Sequence, residues 1–215
     1  MKITKVLLGV LAMLLITSYG SSMQVNQMPV PEEQKQLFLY QIAEASKKIQ
    51  TLQCSFIQEK TSILVSEKAV AKGALLFQSP NMLRWEYTEP TPSTLILNGN
   101  HAVLLSQDGK HLGNERMLKQ LSGIIISMIN GEGVQQNKQF SSEIFDVESN
   151  EIRIVLTPIQ KRLKDFYNKI ELRIDRKTML ANDIILDEKS GDKTVILLAN
   201  KMLNVKIPQS KFTIK

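Results

Sequence analysis

Side chains able to do covalent or proton-transfer chemistry are few and scattered. The chain has two histidines, His101 and His111, and one cysteine, Cys54. His101 follows the turn signal Asn98-Gly99-Asn100, and His111 lies beyond Asp108-Gly109. Neither has a partner at the spacing a metal site needs. Cys54 sits between an apolar helical stripe and a strand, where a small inert thiol is expected. Gly131-Glu132-Gly133 lacks the third glycine of a dinucleotide loop, and there is no Gly-x-Ser-x-Gly elbow or phosphate loop. Asp187 and Glu188 read as the solvated tip of a turn running to Asp192. No nucleophile–base pair emerges, so the expectation is a protein that is not an enzyme and needs no cofactor or metal.

The chain has apolar surface in quantity: 43% of its 215 residues are hydrophobic and 22% charged, which excludes a disordered chain and suits a single domain. Residues 32–53 read as an amphipathic helix, because Phe38, Ile42, Ala45, Ile49 and Leu52 recur at helical spacing and Glu32 and Glu33 favour its positive N-terminal end. Short strands follow over Ser55–Glu59, Ala71–Gln78, Met82–Tyr87, Thr94–Asn98 and His101–Gln107, separated by Pro, Asn and Gly turn signals. A second group covers Glu143–Val147, Glu151–Thr157, Asn168–Asp175, Ala181–Leu186, Thr194–Leu198 and Phe212–Ile214. Short connections imply antiparallel pairing. The alternation of Ile152, Ile154, Leu156 and of Ile170, Leu172, Ile174 implies one buried and one wet face. Residues 115–129 interrupt the strands with an apolar segment carrying Leu118, Leu121, Ile125 and Met128 at helical spacing. Gly123 weakens it, and the β-branched Ile124-Ile125-Ile126 leaves a long strand as the competing assignment.

The first residues have the order of a secretory signal peptide: Lys2 and Lys5, the apolar run Val6–Ile16, then Ser18-Tyr19-Gly20. The run is too short to span a bilayer. We therefore expect residues 1–20 to be removed, 21–31 to form a flexible lead with Pro29 and Pro31, and 32–215 to form one exported domain. The net charge is +6, but bases and acids intermix, as in Lys169-Ile170-Glu171-Leu172-Arg173-Ile174-Asp175. No basic stripe with interleaved aromatics marks a nucleic-acid partner.

Several segments resemble the LolA family of outer-membrane lipoprotein carriers. They are Leu52-Gln53-Cys54-Ser55-Phe56-Ile57-Gln58, Gly73-Ala74-Leu75-Leu76-Phe77, the stretch Pro80-Asn81-Met82-Leu83-Arg84-Trp85-Glu86-Tyr87-Thr88-Glu89-Pro90, the strand ending in Asn98-Gly99, and Val155-Leu156-Thr157-Pro158 with the strand from Asn168. Their order holds across nearly the whole mature chain. The resemblance implies a mainly β fold with helices: a half-open, curved antiparallel β-barrel covered by an N-terminal helix and a central lid helix. It implies an acyl-chain cavity lined by Leu75, Phe77, Leu83, Trp85, Leu95, Leu97, Ile42 and Ile49, and a lid of Leu121, Ile124, Ile125 and Met128. It further implies a monomer that takes acylated lipoproteins from an inner-membrane lipoprotein-releasing transporter and passes them to an outer-membrane acceptor. The alternatives of the same fold are a periplasmic lipid- or lipoprotein-sensing regulatory protein and a carrier of another acylated molecule. One departure stands out: the family's lid-holding Arg directly before the Pro-Asn pair is Ser79 here, and Arg84, by strand alternation, points away from Leu83 and Trp85.

Overall fold

The structure, a computed structural model, describes residues 28–112, 115, 118–119, 125–126, 129, 139–147 and 150–214, with only the backbone of residues 65 and 66. The expected signal peptide, most of the lead, and the lid residues Leu121, Ile124 and Met128 lie outside the described residues.

Helix α1 spans Glu32–Ser46. Among the described residues eleven strands follow: β1 Thr51–Ser62, β2 Val65–Gln78, β3 Met82–Glu89, β4 Ser93–Asn98, β5 His101–Ser106, β6 His111–Leu112, β7 Phe140–Val147, β8 Glu151–Pro158, β9 Tyr167–Asp175, β10 Ala181–Glu188 and β11 Lys193–Leu203. A short helix α2, Lys161–Lys164, precedes β9, and a 3₁₀ turn occupies Gln209–Phe212. The described residues of the central segment (115, 118–119, 125–126 and 129) are helical.

All the described strands join one antiparallel sheet in the order β6-β5-β4-β3-β2-β1-β11-β10-β9-β8-β7, with β6 and β7 as its outermost strands. Its inner face reads straight off the register. Leu75 pairs with Trp85, Trp85 with Leu95 and Leu95 with Leu104; Phe77 pairs with Leu83, Leu83 with Leu97 and Leu97 with Ala102. Bulges sharpen the bend. The pairing of β2 with β3 slips between Lys72 and Gly73, and that of β1 with β11 slips between Gln53 and Ser55. At the second, Asn200 turns left-handed (φ 53°) and its amide donates to Ser55 Oγ at 3.0 Å. Gly73 is required where it stands, because a Cβ there would meet the Glu86 carbonyl oxygen and come within 2.6 Å of the Phe56 ring.

Two apolar clusters fill the concave side. One joins β1–β5 and Ile196 with Leu118 and Ile126 of the central segment. The other joins Phe38, Leu39 and Ile42 of α1 with β7, β8, β9 and Leu163 of α2. Each helical segment thus covers one half of the curved sheet. On the wet face of β9, Glu171 approaches Arg153 at 3.7 Å and Arg173 at 3.6 Å, while Ile170, Leu172 and Ile174 between these charges are buried.

Three expectations need correction. The helix ends at Ser46, not residue 53, and Leu52 belongs to β1. Leu52 and Ile49 continue the helical spacing only because the inward alternation of β1 (Leu52, Cys54, Phe56) starts in phase with it. The buried face of α1 is Phe38, Leu39, Ile42, Ala43 and Ser46. Phe212–Ile214 is not a strand. It follows or ends a 3₁₀ turn that lies over the outer face of β3 and β4, where Asn98 Nδ2 donates to Phe212 O (3.2 Å) and Arg84 Nη1 to Lys211 O (3.4 Å). That cover buries Ile96, which alternates outward from Leu95 and Leu97. Finally, β10 runs to Glu188, whose carboxylate is no free tip: it accepts from Lys60 Nζ at 2.9 Å and Thr194 Oγ1 at 2.9 Å.

Candidate functional site

Two strongly apolar cavities among the described residues lie between the inner face and the helical segments, beside a more polar groove of about 610 Å³ at the β5–β6 end bounded by Asn98, Ala102, Leu104, His111 and Leu118. The larger of the two apolar cavities, about 290 Å³, is bounded by Trp85, Leu95 and Leu104 from β3–β5, by Tyr167, Ile170, Ile184, Leu186 and Ile196 from β9–β11, and by Leu118 and Ile125 from above. Strands far apart in the sheet order face one space, which requires strong curvature. The smaller, about 60 Å³, lies beneath α1 and includes Ile42, Ile49, Leu52, Cys54, Leu75, Leu172 and Leu198. Ile125 and Ile184 line both, so the two spaces meet where the central segment rests on β10.

Among the residues predicted for an acyl cavity, Trp85 and Leu95 line the larger space and Ile42, Ile49 and Leu75 the smaller. Phe77 and Leu83 have no exposure, and with Leu97 they pack as solid wall in the first cluster. Of the predicted lid residues, Ile125 is described and touches both spaces. Ile184, Leu186 and Ile196 were not singled out in the sequence, although strand alternation puts them inward. Gln58 carries no such signal, since a polar residue breaks the apolar pattern.

A few polar groups sit in this surface. Phe56, Trp85 and Tyr87 form an aromatic cluster, with ring centroids 4.7 Å apart for Phe56–Trp85 and 5.3 Å for Phe56–Tyr87. The Tyr87 hydroxyl donates to Gln58 Oε1 at 2.9 Å. Burial raises the Tyr87 phenol above its usual range, and the adjoining Trp85 indole and Gln58 pull it part of the way back. Trp85 Nε1 is buried beside that hydroxyl. At the smaller space, burial pushes the Cys54 thiol up to about 11 against the opposing pull of Lys201. Burial also lowers Lys201, whose Nζ donates to Asn182 Oδ1 at 2.7 Å. Among the described residues no group of three or more His, Cys, Asp or Glu is placed to hold a metal ion.

Arg84 lies on the outer face, paired with Glu86 at 2.9 Å. Ser79 donates its backbone N–H to Gln50 O at 2.8 Å, joining the start of β1 to the β2–β3 turn.

The site is thus an apolar hollow on the concave face of an open antiparallel sheet, roofed by helical segments. Residues 47–215 match the family described as outer membrane lipoprotein carrier protein LolA, and the chain belongs to that family. It is 24% identical over 213 residues to an outer-membrane lipoprotein carrier protein of Pseudomonas fluorescens, covering 99% of this chain and 94% of that one. A protein of the same description from Pseudomonas putida is 23% identical over 212 residues, covering 98% and 93%. The crystal structure of an uncharacterized conserved protein from Thermus thermophilus shares the fold with a TM-score of 0.51 at 8% identity, over 85% of this chain and 93% of that one. No described helix is long and apolar enough to cross a membrane.

Proposed function

We propose that the protein is a periplasmic carrier that binds the acyl chains of lipoproteins and escorts them from the inner to the outer membrane. It takes them from an inner-membrane lipoprotein-releasing transporter and yields them to an outer-membrane acceptor. The observation that carries this reading is the pair of apolar cavities meeting at Ile125 and Ile184 beneath the central segment, in a chain of the lipoprotein carrier family.

The physical need is large. Each methylene removed from water is worth about 0.8 kcal/mol, so acyl chains do not cross an aqueous compartment unescorted at a useful rate. A carrier must match that burial yet keep an apolar hollow covered when unloaded. Here Leu118, Ile125, Ile126 and Ile129 pack against the sheet cluster. Displaced by an acyl chain, they would open the two spaces into one trough lined by Leu75, Trp85, Leu95, Ile42 and Ile49 and walled by Phe77, Leu83 and Leu97. Handover then follows relative affinity: the acceptor must bind the chains more tightly than the carrier does.

Ile125→Glu tests this, because it puts a charge where the spaces meet on a residue only half-buried in the cover. The variant should keep the wild-type far-UV spectrum and lose at least about tenfold in affinity for a palmitoylated peptide. Normal loading would refute the assignment of the trough. In cells, depletion should strand lipoproteins at the inner membrane; unchanged sorting would favour a sensor of the same fold.

A further inference from the structure

Large apolar side chains project into water at one end of the sheet. Strands β1, β8 and β10 run toward this end, and β2, β9 and β11 leave it. At the β1–β2 tip Ile63 is 69% exposed and Leu64 88%; on either side of α2, Ile159 is 50% exposed and Phe166 57%. One exposed apolar residue is ordinary, but several gathered at one end mark a contact surface. The tips are also held in place. Asp192 of the β10–β11 turn accepts from Ser62 Oγ at 2.8 Å and from Ile63 N at 3.3 Å, and Lys60 Nζ joins Glu188 (2.9 Å) to Asp192 (3.3 Å). On the other side of that turn, Lys189 N donates to Phe166 O at 2.8 Å. Buried Leu163 pins α2 to the second apolar cluster.

These side chains stand in a basic setting. Across residues 59–68, 159–169 and 187–193, eight Lys and Arg face six Asp and Glu. The excess lies on 159–169, where Lys161, Arg162, Lys164 and Lys169 face Asp165 alone, all of them exposed. Binding at the interface of an anionic bilayer draws on buried apolar area and on attraction between bases and head groups. Projecting tips suit a soft interface that moulds round them; a rigid protein face would need matching pockets. The larger cavity reaches the same end, because Tyr167, the first residue of β9 and the neighbour of Phe166, lines it. We propose that this end docks on a bilayer carrying anionic phospholipid, with Leu64 and Phe166 entering the interface and the bases of 159–169 meeting the head-group phosphates. Docking sets the cavity beside the membrane, where acyl chains enter or leave it. The purpose of docking rests on the acyl-carrier reading; the docking itself does not.

The probes are protein-free vesicles of phosphatidylethanolamine with about one quarter phosphatidylglycerol, and vesicles of phosphatidylcholine alone. In flotation, the exported protein should bind the anionic vesicles at least about tenfold more tightly than the neutral ones. The double variant Leu64→Ser, Phe166→Ser and the triple variant Lys161→Gln, Arg162→Gln, Lys164→Gln should each weaken binding to the anionic vesicles by about tenfold or more. All the substitutions are at exposed positions, and the N-terminus is the same in every form, so the comparison isolates this end. Both variants should keep wild-type affinity for a palmitoylated peptide. Equal binding to the two vesicle types, or by wild type and either variant, would overturn the inference. So would a parallel loss of peptide affinity, which would assign the tips to cargo. Wild type that bound the peptide but no vesicle would leave the carrier reading standing and point to a protein partner at this end. Wild type that bound anionic vesicles but not the peptide would keep the docking surface and remove the carrier reading.

Discussion

Single positions set hard limits in this molecule, and Gly73 shows how. The Phe56 ring and the Glu86 carbonyl occupy the space a side chain would need. Gly73→Ala should therefore destabilise the protein by about 1–3 kcal/mol in urea unfolding. Trimming Phe56 should not rescue it, since the nearer obstacle is backbone. Cys54 makes a different prediction. Its thiol is raised from an ordinary 9.0 to about 11 by burial, so the unfolded chain ionises first. The thiol's contribution to stability is fully present below pH 9 and is lost as pH rises toward 11. In practice, a thiol reagent at pH 8 should label Cys54 only after unfolding. The burial of Cys54 was legible in the sequence, as the default for a lone thiol between an apolar helical stripe and a strand. The need for glycine at 73 was not, because it arises from a backbone carbonyl and an aromatic ring on the two neighbouring strands.

Elements end where distant residues allow. Helix α1 stops at Ser46 because the chain must turn into β1, and Asn204 from beyond β11 supports the junction. Its Nδ2 donates to Lys48 O at 3.0 Å, and its Oδ1 accepts from Gln50 N at 2.8 Å. Asn204 itself is left-handed, with φ 56°. Asn204→Gly keeps that conformation and loses the bonds; Asn204→Ala loses both. We expect losses of about 1 and 2 kcal/mol respectively by thermal denaturation. Equal losses would mean that the backbone conformation is immaterial. The helical spacing that runs on to Leu52 hides this boundary in the sequence, since the first inward strand position coincides with the next helical one. The alternating strands β8 and β9, by contrast, were plain from Ile152, Ile154, Ile170 and Leu172, because Ile152, Ile170 and Leu172 are flanked by charge on both sides and Ile154 on one.

At the scale of the whole molecule, an open sheet exposes edges that could pair with another copy. Strand β6 is only two residues long, and at the other edge Val30 N donates to Ile144 O of β7 at 2.8 Å. With both edges blunted, sedimentation equilibrium should report a monomer at micromolar concentration; a dimer would mean that an edge is used. Loading should also stabilise the fold as a unit: an acylated peptide at a hundred times its dissociation constant should raise unfolding free energy by about 2.7 kcal/mol, and an unchanged melting temperature would argue against acyl binding.

Sequence alone determined most of the elements and their inner faces, because strand alternation and helical spacing are local consequences of backbone geometry. It also pointed to the family, through the segments around Leu52, Gly73, Pro80 and Val155. Only the tertiary structure decided which inward residues border open space and which are solid wall. Phe77 and Trp85 look equivalent in pattern, yet one is packed shut and the other faces a cavity. Curvature makes that difference. It is set by bulges at Gly73 and Asn200 and by the way β3–β5 swing round to face β9 and β10, a sum over long-range pairings that no stretch of sequence contains.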